Sequence, residues 1–145
     1  MEIKKTIEID ASAETIFQAL TAEDELTQWF PDVAVLEPKV GGKVRFTFYA
    51  KKTENLDKDF YPNGEITEFV PNRKLSYTWI PQGIPDFPKT IVSWTLYEIS
   101  KNKTKVELIH SGFTGKPQEL FREHHTGWDY FAERLVKHCQ KLSNR

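Results

Sequence analysis

The stretch that most constrains the fold is the last one, residues 116–141, which reads as a single long amphipathic helix. Leu120, His124, Gly127, Trp128, Phe131, Leu135, Cys139 and, just beyond, Leu142 recur at three-to-four spacing and share one face. Glu119, Arg122, Glu123, Asp129, Glu133 and Lys137 lie on the opposite face, which is expected to be solvated. An apolar stripe of this length needs a cover. Almost no other long helical pattern occurs in the chain, so a β-sheet has to supply it.

Strand signals fill most of what precedes. Ile3, Ile7 and Ile9 alternate with polar residues as in a half-buried strand. Asp10 and Ser12 are both suitable helix caps, Glu14 suits the first turn, and Ile16, Phe17 and Leu20 form an inward stripe. Thr21 is expected to cap a second short helix over residues 22–28, with Leu26 and Trp29 on one face and Phe30-Pro31 as its stop. Val33, Val35 and Leu36 read as a strand, and Pro38 with Gly41-Gly42 turns the chain into Val44, Phe46 and Phe48. Residues 50–59 are polar and charge-rich and read as an exposed, poorly ordered connection. A hairpin follows, with Gly64, Ile66 and Phe69 before the turn Pro71-Asn72-Arg73 and Leu75, Tyr77 and Trp79 after it.

Pro81, Gly83, Pro85 and Pro88 prevent regular structure while leaving Ile84 and Phe87 at a loop, as a lip over a pocket would. Strand residues Val92, Trp94 and Leu96 come next, then a turn at Lys101-Asn102-Lys103, then Val106, Leu108 and His110. Gly112 and Gly115 bracket the hinge to the long helix. The order predicts an α+β helix-grip fold: a curved antiparallel sheet of about seven strands around a long C-terminal helix, with two short helices after the first strand. Residues 1–145 are expected to form a single domain, since a chain of this size buries about 70% of its unfolded surface.

Twenty Lys and Arg against 21 Asp and Glu, scattered without a basic run, leave no footprint for nucleic acid or an anionic membrane. The one cysteine, Cys139, has no intrachain partner, and the N-terminus lacks a signal-peptide core, so a reducing, cytoplasmic setting is expected. No apolar run approaches the roughly 20 residues of a membrane span.

Phe46, Phe48, Tyr77, Trp79, Trp94, Trp128 and Phe131 point between sheet and helix on this parity, and ordinary core packing would account for most of them. A buried indole or phenol also needs a hydrogen-bond partner, which an oriented ligand would supply. His110 and His124 share the inward side and form a candidate acid–base pair titrating near neutral pH, whereas His125 and His138 read as solvated. Glu65 and Glu68 are weak candidates for paired carboxylates, their parity depending on an unplaced bulge. There is no CxxC or HExxH for a metal, and no GxSxG, phosphate-binding loop or GxGxxG. No metal or cofactor is expected.

The runs Ile9-Asp10-Ala11-Ser12-Ala13-Glu14-Thr15-Ile16-Phe17, Trp29-Phe30-Pro31, Gly41-Gly42, Asn63-Gly64-Glu65-Ile66, Pro71-Asn72-Arg73-Lys74-Leu75-Ser76-Tyr77-Thr78-Trp79 and Gly127-Trp128 span nearly the whole chain. In them the sequence resembles the activator-of-heat-shock-protein-90-ATPase homologue family, within the START-like, birch-pollen-allergen-like helix-grip superfamily (SRPBCC). The resemblance implies a seven-stranded antiparallel sheet wrapped around the C-terminal helix with an apolar cavity between. Superfamily relatives carry lipids, sterols, polyketides or plant hormones, and some cyclise or hydrate them. None of the matching residues is a catalytic motif, so function does not transfer with them.

The preferred expectation is a non-enzymatic domain holding a small apolar or aromatic ligand. Its pocket residues would be Trp29, Phe48, Tyr77, Trp79, Trp94, His110, His124, Trp128 and Phe131. The alternatives are a chaperone ATPase-stimulating module and a cavity enzyme of polyketide cyclase type using His110 or His124. The chain is expected to be a monomer or a homodimer, joined in the latter case through a sheet edge or the loop at Ile84 and Phe87.

Overall fold

In the computed structural model the long helix, α3, runs over Gln118–Ser143 and lies against the sheet, as its amphipathic pattern requires. The structure describes residues 2–50, 58–114 and 118–143, with the side chains of 118–120 excepted. The start expected at Lys116, the hinge residue Gly115, the Leu120 side chain and most of the connection expected over 50–59 therefore lie outside the described residues. Trp128, Ala132, Leu135 and Cys139 are buried on the inner face, while Phe121, His124 and Phe131 are half-buried. Arg122, Glu123, Asp129, Glu133 and Lys137 are exposed as expected.

Strand β1 (Ile3–Ile9) leads into α1 (Ala13–Thr21). Ser12 caps α1, its Oγ accepting from the Thr15 N–H at 3.1 Å, while Asp10 instead donates its backbone N–H to Gln140 Oε1 of α3 at 3.2 Å. Helix α2 (Glu23–Trp29) begins at an extended Ala22 with no side-chain cap. Thr21 does not cap it, because Thr21 closes α1 and its hydroxyl donates to the Phe17 carbonyl one turn back at 2.7 Å. Glu23 reaches across instead, and its carboxylate accepts the N–H of Leu36 at 2.9 Å.

Six further strands complete one antiparallel sheet: β2 (Val33–Leu36), β3 (Lys43–Thr47), β4 (Pro62–Val70), β5 (Lys74–Pro81), β6 (Thr90–Ser100) and β7 (Lys103–Ser111). Its spatial order is β1-β7-β6-β5-β4-β3-β2, the two edges being β1 and β2. Val33 and Val35 of β2 are exposed, and Ala34 and Leu36 take the inner side, a parity the sequence reading left open. A four-residue edge strand of apolar residues has too little contrast between its two faces to reveal its parity.

Strand β4 carries the bulge that left Glu65 and Glu68 undecided. Ile66 pairs with Tyr77 but Glu68 with Ser76, so Thr67 is the extra residue. Both glutamates are exposed, and Glu68 pairs with Lys74 at 3.2 Å, so they do not face one another across the interior. At Gly64 strand β4 lies directly against β5: a Cβ there would sit 1.8 Å from the Thr78 carbonyl oxygen. The residue must lack a side chain.

Candidate site between the sheet and the long helix

Register places the polar residues of the interior. Trp79 of β5 pairs with Thr90 of β6, and Val92 of β6 pairs with His110 of β7, so strand alternation turns Trp79, Thr90 and His110 toward α3. Trp128 of α3 donates its indole N–H to His110 Nδ1 at 2.9 Å. An indole only donates, so Nδ1 is the unprotonated nitrogen and the ring proton sits on Nε2. Nε2 lies 2.8 Å from Thr90 Oγ1, and that hydroxyl gives its own proton to the Trp79 carbonyl at 2.7 Å. The chain of donors therefore runs one way, from Trp128 through His110 and Thr90 to the β5 backbone.

His110 is fully buried, and burial lowers its pKa well below the usual imidazole range, with nearby His124 pushing the same way. A proton on Nδ1 would also remove the acceptor that Trp128 needs. The expectation that His110 titrates near neutral pH is thus corrected: the ring is held neutral as a hydrogen-bond relay.

His124, half-buried on α3, accepts the Trp79 indole N–H on Nε2 at 3.1 Å. Its ring centroid lies 5.4 Å from His110, 5.6 Å from both Phe60 and Phe113, and 5.5 Å from Phe87. Each of the two histidines receives a hydrogen bond from a tryptophan, which is not the arrangement of a proton-exchanging pair.

The remaining tryptophans are partnered as well. Trp29 donates to the Ala19 carbonyl at 2.8 Å and Trp94 to the Tyr77 hydroxyl at 3.2 Å. Burial pushes the Tyr77 phenol far up, so it stays neutral. All four indoles of the chain find acceptors within the protein, so none of them waits for a ligand to satisfy it.

The nine expected site residues come together in one aromatic assembly. Trp29 packs edge-on to Trp94 at 6.0 Å, Trp94 edge-on to Trp128 at 5.7 Å, and Trp79 meets Tyr77 at 6.5 Å and Trp128 at 5.7 Å. Phe48 and Phe131 meet at 5.5 Å. Phe30, read from the sequence only as a helix stop, sits between the two groups, stacked on Trp29 at 4.9 Å and on Trp128 at 5.3 Å and edge-on to Phe131 at 5.0 Å. At this level Phe30 fills the space between sheet and helix. Thr90, Phe60 and Phe113 were likewise not singled out; for Thr90 the available signal was its inward parity with Val92 and Trp94.

Toward the N-terminal half of α3 the burial relaxes. Phe60, Phe87, Phe121 and His124 are half-buried around the buried Phe113, Trp79 and His110. Phe87 comes from the proline-rich loop, which reaches His124 of the helix here. At the other end, a polar groove of about 330 Å³ opens between α2 and α3, lined by Asp24, Glu25, Gln28, His138, Lys141 and Leu142. His138 is not solvated as expected: its Nε2 lies 2.8 Å from a Glu25 carboxylate oxygen and the side chain is 13% exposed. Cys139 is buried beside this pair, and its thiol is pushed up to about 12 by burial and, secondarily, by Glu25. Among the described residues no group of three His, Cys, Asp or Glu side chains is placed to hold a metal ion, and no helix is long and apolar enough to cross a membrane.

The family model for activator of Hsp90 ATPase homolog 1-like proteins matches residues 10–140. The chain belongs to that family. Among solved structures, protein MLL2253 of Mesorhizobium loti is 24% identical, with 97% of this chain and 98% of that one covered and a TM-score of 0.80. The Aha1 dimer of Colwellia psychrerythraea is also 24% identical, covering 97% and 96% with a TM-score of 0.79. An HSP90 activator of Plasmodium falciparum, PFC0360w, is 22% identical, covering 93% of each chain with a TM-score of 0.72. At these identities the likeness carries the helix-grip fold and no activity. Comparison with curated proteins finds no match.

Proposed function

We propose that the protein binds a small apolar or aromatic molecule where the N-terminal half of α3 meets the proline-rich loop. The observation that carries this reading is His124. It is a half-buried polar ring on α3, fixed by the Trp79 indole and surrounded by Phe60, Phe87 and Phe113. Half-buried aromatic rings around one oriented polar group are what a site for an aromatic ligand needs: stacking surface on the walls and a single group to set orientation. Trp79, His110 and Trp128 form its floor, while Trp29, Tyr77, Trp94, Phe48 and Phe131 act behind it by holding that floor rigid.

Native mass spectrometry of protein purified gently from cells tests this directly. An additional mass lost on denaturation supports the reading and gives the ligand's class. A bare mass, together with no change in tryptophan emission on adding aminoanthracene, would overturn it.

A second reading, a protein-interaction module acting on a chaperone, is favoured by a different observation. Val33, Val35, Tyr49 and Tyr61 are all exposed at the β2 edge and the adjoining ends of β3 and β4. Stimulation of a purified Hsp90 ATPase by the wild-type chain, lost in Tyr61→Ser, would support it. An unchanged ATPase rate would remove it.

A further inference from the structure

The long helix is held down unequally along its length. Beyond Gly127, polar contacts pin it to β7, to α2 and to the connection between β1 and α1: Trp128 to His110 of β7, Arg134 to the Gln28 carbonyl of α2 at 3.3 Å, His138 to Glu25 of α2, and Gln140 to the backbone at Asp10. Asp129 adds an ion pair with Lys5 of β1. Trp128, Leu135 and Cys139 are almost completely buried on the same stretch. Among the described side chains, the segment before Gly127 meets the body through the half-buried rings of Phe121 and His124, against Phe113, Phe60 and Phe87, and through the Trp79–His124 hydrogen bond.

Gly127 stands at the boundary, inside α3 and directly before the pinned Trp128. Helix-interior glycine is disfavoured by about 1 kcal/mol relative to alanine, because it leaves the backbone freer in every non-helical state. A glycine is often required where another group comes too close for a Cβ, but here a Cβ would meet nothing within 4 Å. Packing does not explain the residue, so flexibility of the backbone at this point is what it contributes.

We propose that Gly127 is a hinge about which residues 118–126 swing away from the sheet, lifting Phe121 and His124 off Phe60, Phe87 and Phe113 to admit a ligand to the Trp79–His110–Trp128 floor. The motion rests on the binding reading above for its purpose, though not for its existence. It breaks the ring contacts of Phe121 and His124 and the Trp79–His124 hydrogen bond while the pinned half of α3 stays in place, so it is far smaller than unfolding the helix.

Amide hydrogen exchange of the intact protein tests the hinge without any ligand. In the wild type a step in protection is expected at Gly127, with residues 121–126 exchanging faster than 129–140. Gly127→Ala is sterically free and should slow exchange in 121–126 by about fivefold, and in 132–140 by no more than its gain in global stability. Thr126→Ala, which raises helix propensity on the exposed face of the same turn, should change it less than about twofold. Smooth protection along α3, or equal slowing by the two variants, would overturn the hinge. Stopped-flow binding of aminoanthracene then separates the two proposals. Slower association in Gly127→Ala supports both. An exchange step with no probe binding and a bare native mass in the wild type keeps the hinge and removes the ligand reading. Binding with unchanged association in Gly127→Ala keeps the site and shows that the ligand enters by another path, which overturns the hinge as its gate.

Discussion

The indole N–H of Trp128 lies 2.9 Å from His110 Nδ1, and this one contact decides the tautomer of a histidine that burial keeps neutral. A helix residue and a strand residue are thereby joined in the middle of an otherwise apolar interior. Buried polar links of this kind define one packing of helix on sheet, because any rotation of the helix leaves a donor or an acceptor unpaired.

Trp128→Phe keeps a ring but removes the donor. It should lower the unfolding free energy by about 1–3 kcal/mol, the penalty for an unpaired buried acceptor. Trp128→Ala should lower it by about 3–5 kcal/mol because it also leaves a cavity. Urea unfolding of the two variants checks the order, and a Trp128→Phe variant as stable as the wild type would mean that the hydrogen bond contributes nothing.

Thr90 should be the least replaceable threonine of the sheet. Thr90→Val preserves shape but leaves the His110 Nε2–H without its acceptor, for a loss of about 1–3 kcal/mol, whereas Thr90→Ser keeps the hydroxyl and should lose less. Thermal melts of the pair distinguish a hydrogen-bonding role from mere volume.

Much of this arrangement was legible in the sequence, and the reason is periodicity. Tyr77 and Trp79, Val92 and Trp94, and Leu108 and His110 alternate over long strands, and Leu135 and Cys139 repeat at helical spacing, so each declares its side. The hydrogen bonds were not legible. They depend on the register of Thr90 against Trp79 and of His110 against Val92, and on the rotation of α3 that brings Trp128 to His110. No local pattern encodes those offsets. Phe30 escaped for another reason: its backbone (φ −119°, ψ −95°) belongs to no repeating element, so no period gave its direction.

The depressed pKa of His110 makes a signed prediction about acid. As pH falls, the unfolded chain takes up a proton on this imidazole near its ordinary value of about 6.5, whereas the folded chain does not. The stabilisation is therefore complete above about pH 6.5 and declines below it, by up to about 1.4 kcal/mol per pH unit, until the folded-state value is reached. His110→Gln removes the titration, and the other histidines are common to both proteins. The wild type should accordingly lose more stability than the variant between about pH 7.5 and about pH 5.5 in urea titrations. Parallel losses would place the His110 pKa at its ordinary value.

Gly64 and Gly127 make opposite predictions for the same substitution, because one glycine lies against backbone and the other does not. A Cβ at Gly64 would stand 1.8 Å from the Thr78 carbonyl oxygen and 2.6 Å from its carbon, which no rotamer change relieves. Strands β4 and β5 would have to separate where the Glu65 N–H donates to Thr78 Oγ1 at 2.9 Å. Gly64→Ala should therefore destabilise by about 3 kcal/mol or more, beyond ordinary overpacking, since backbone rather than side chain must yield. Gly127→Ala, with nothing near its Cβ, should raise stability by a few tenths to about 1 kcal/mol through the unfolded state and helix propensity. Melting temperatures of the two variants measured side by side settle the comparison: a tolerated Gly64→Ala would mean that β4 and β5 are not held at this distance in solution.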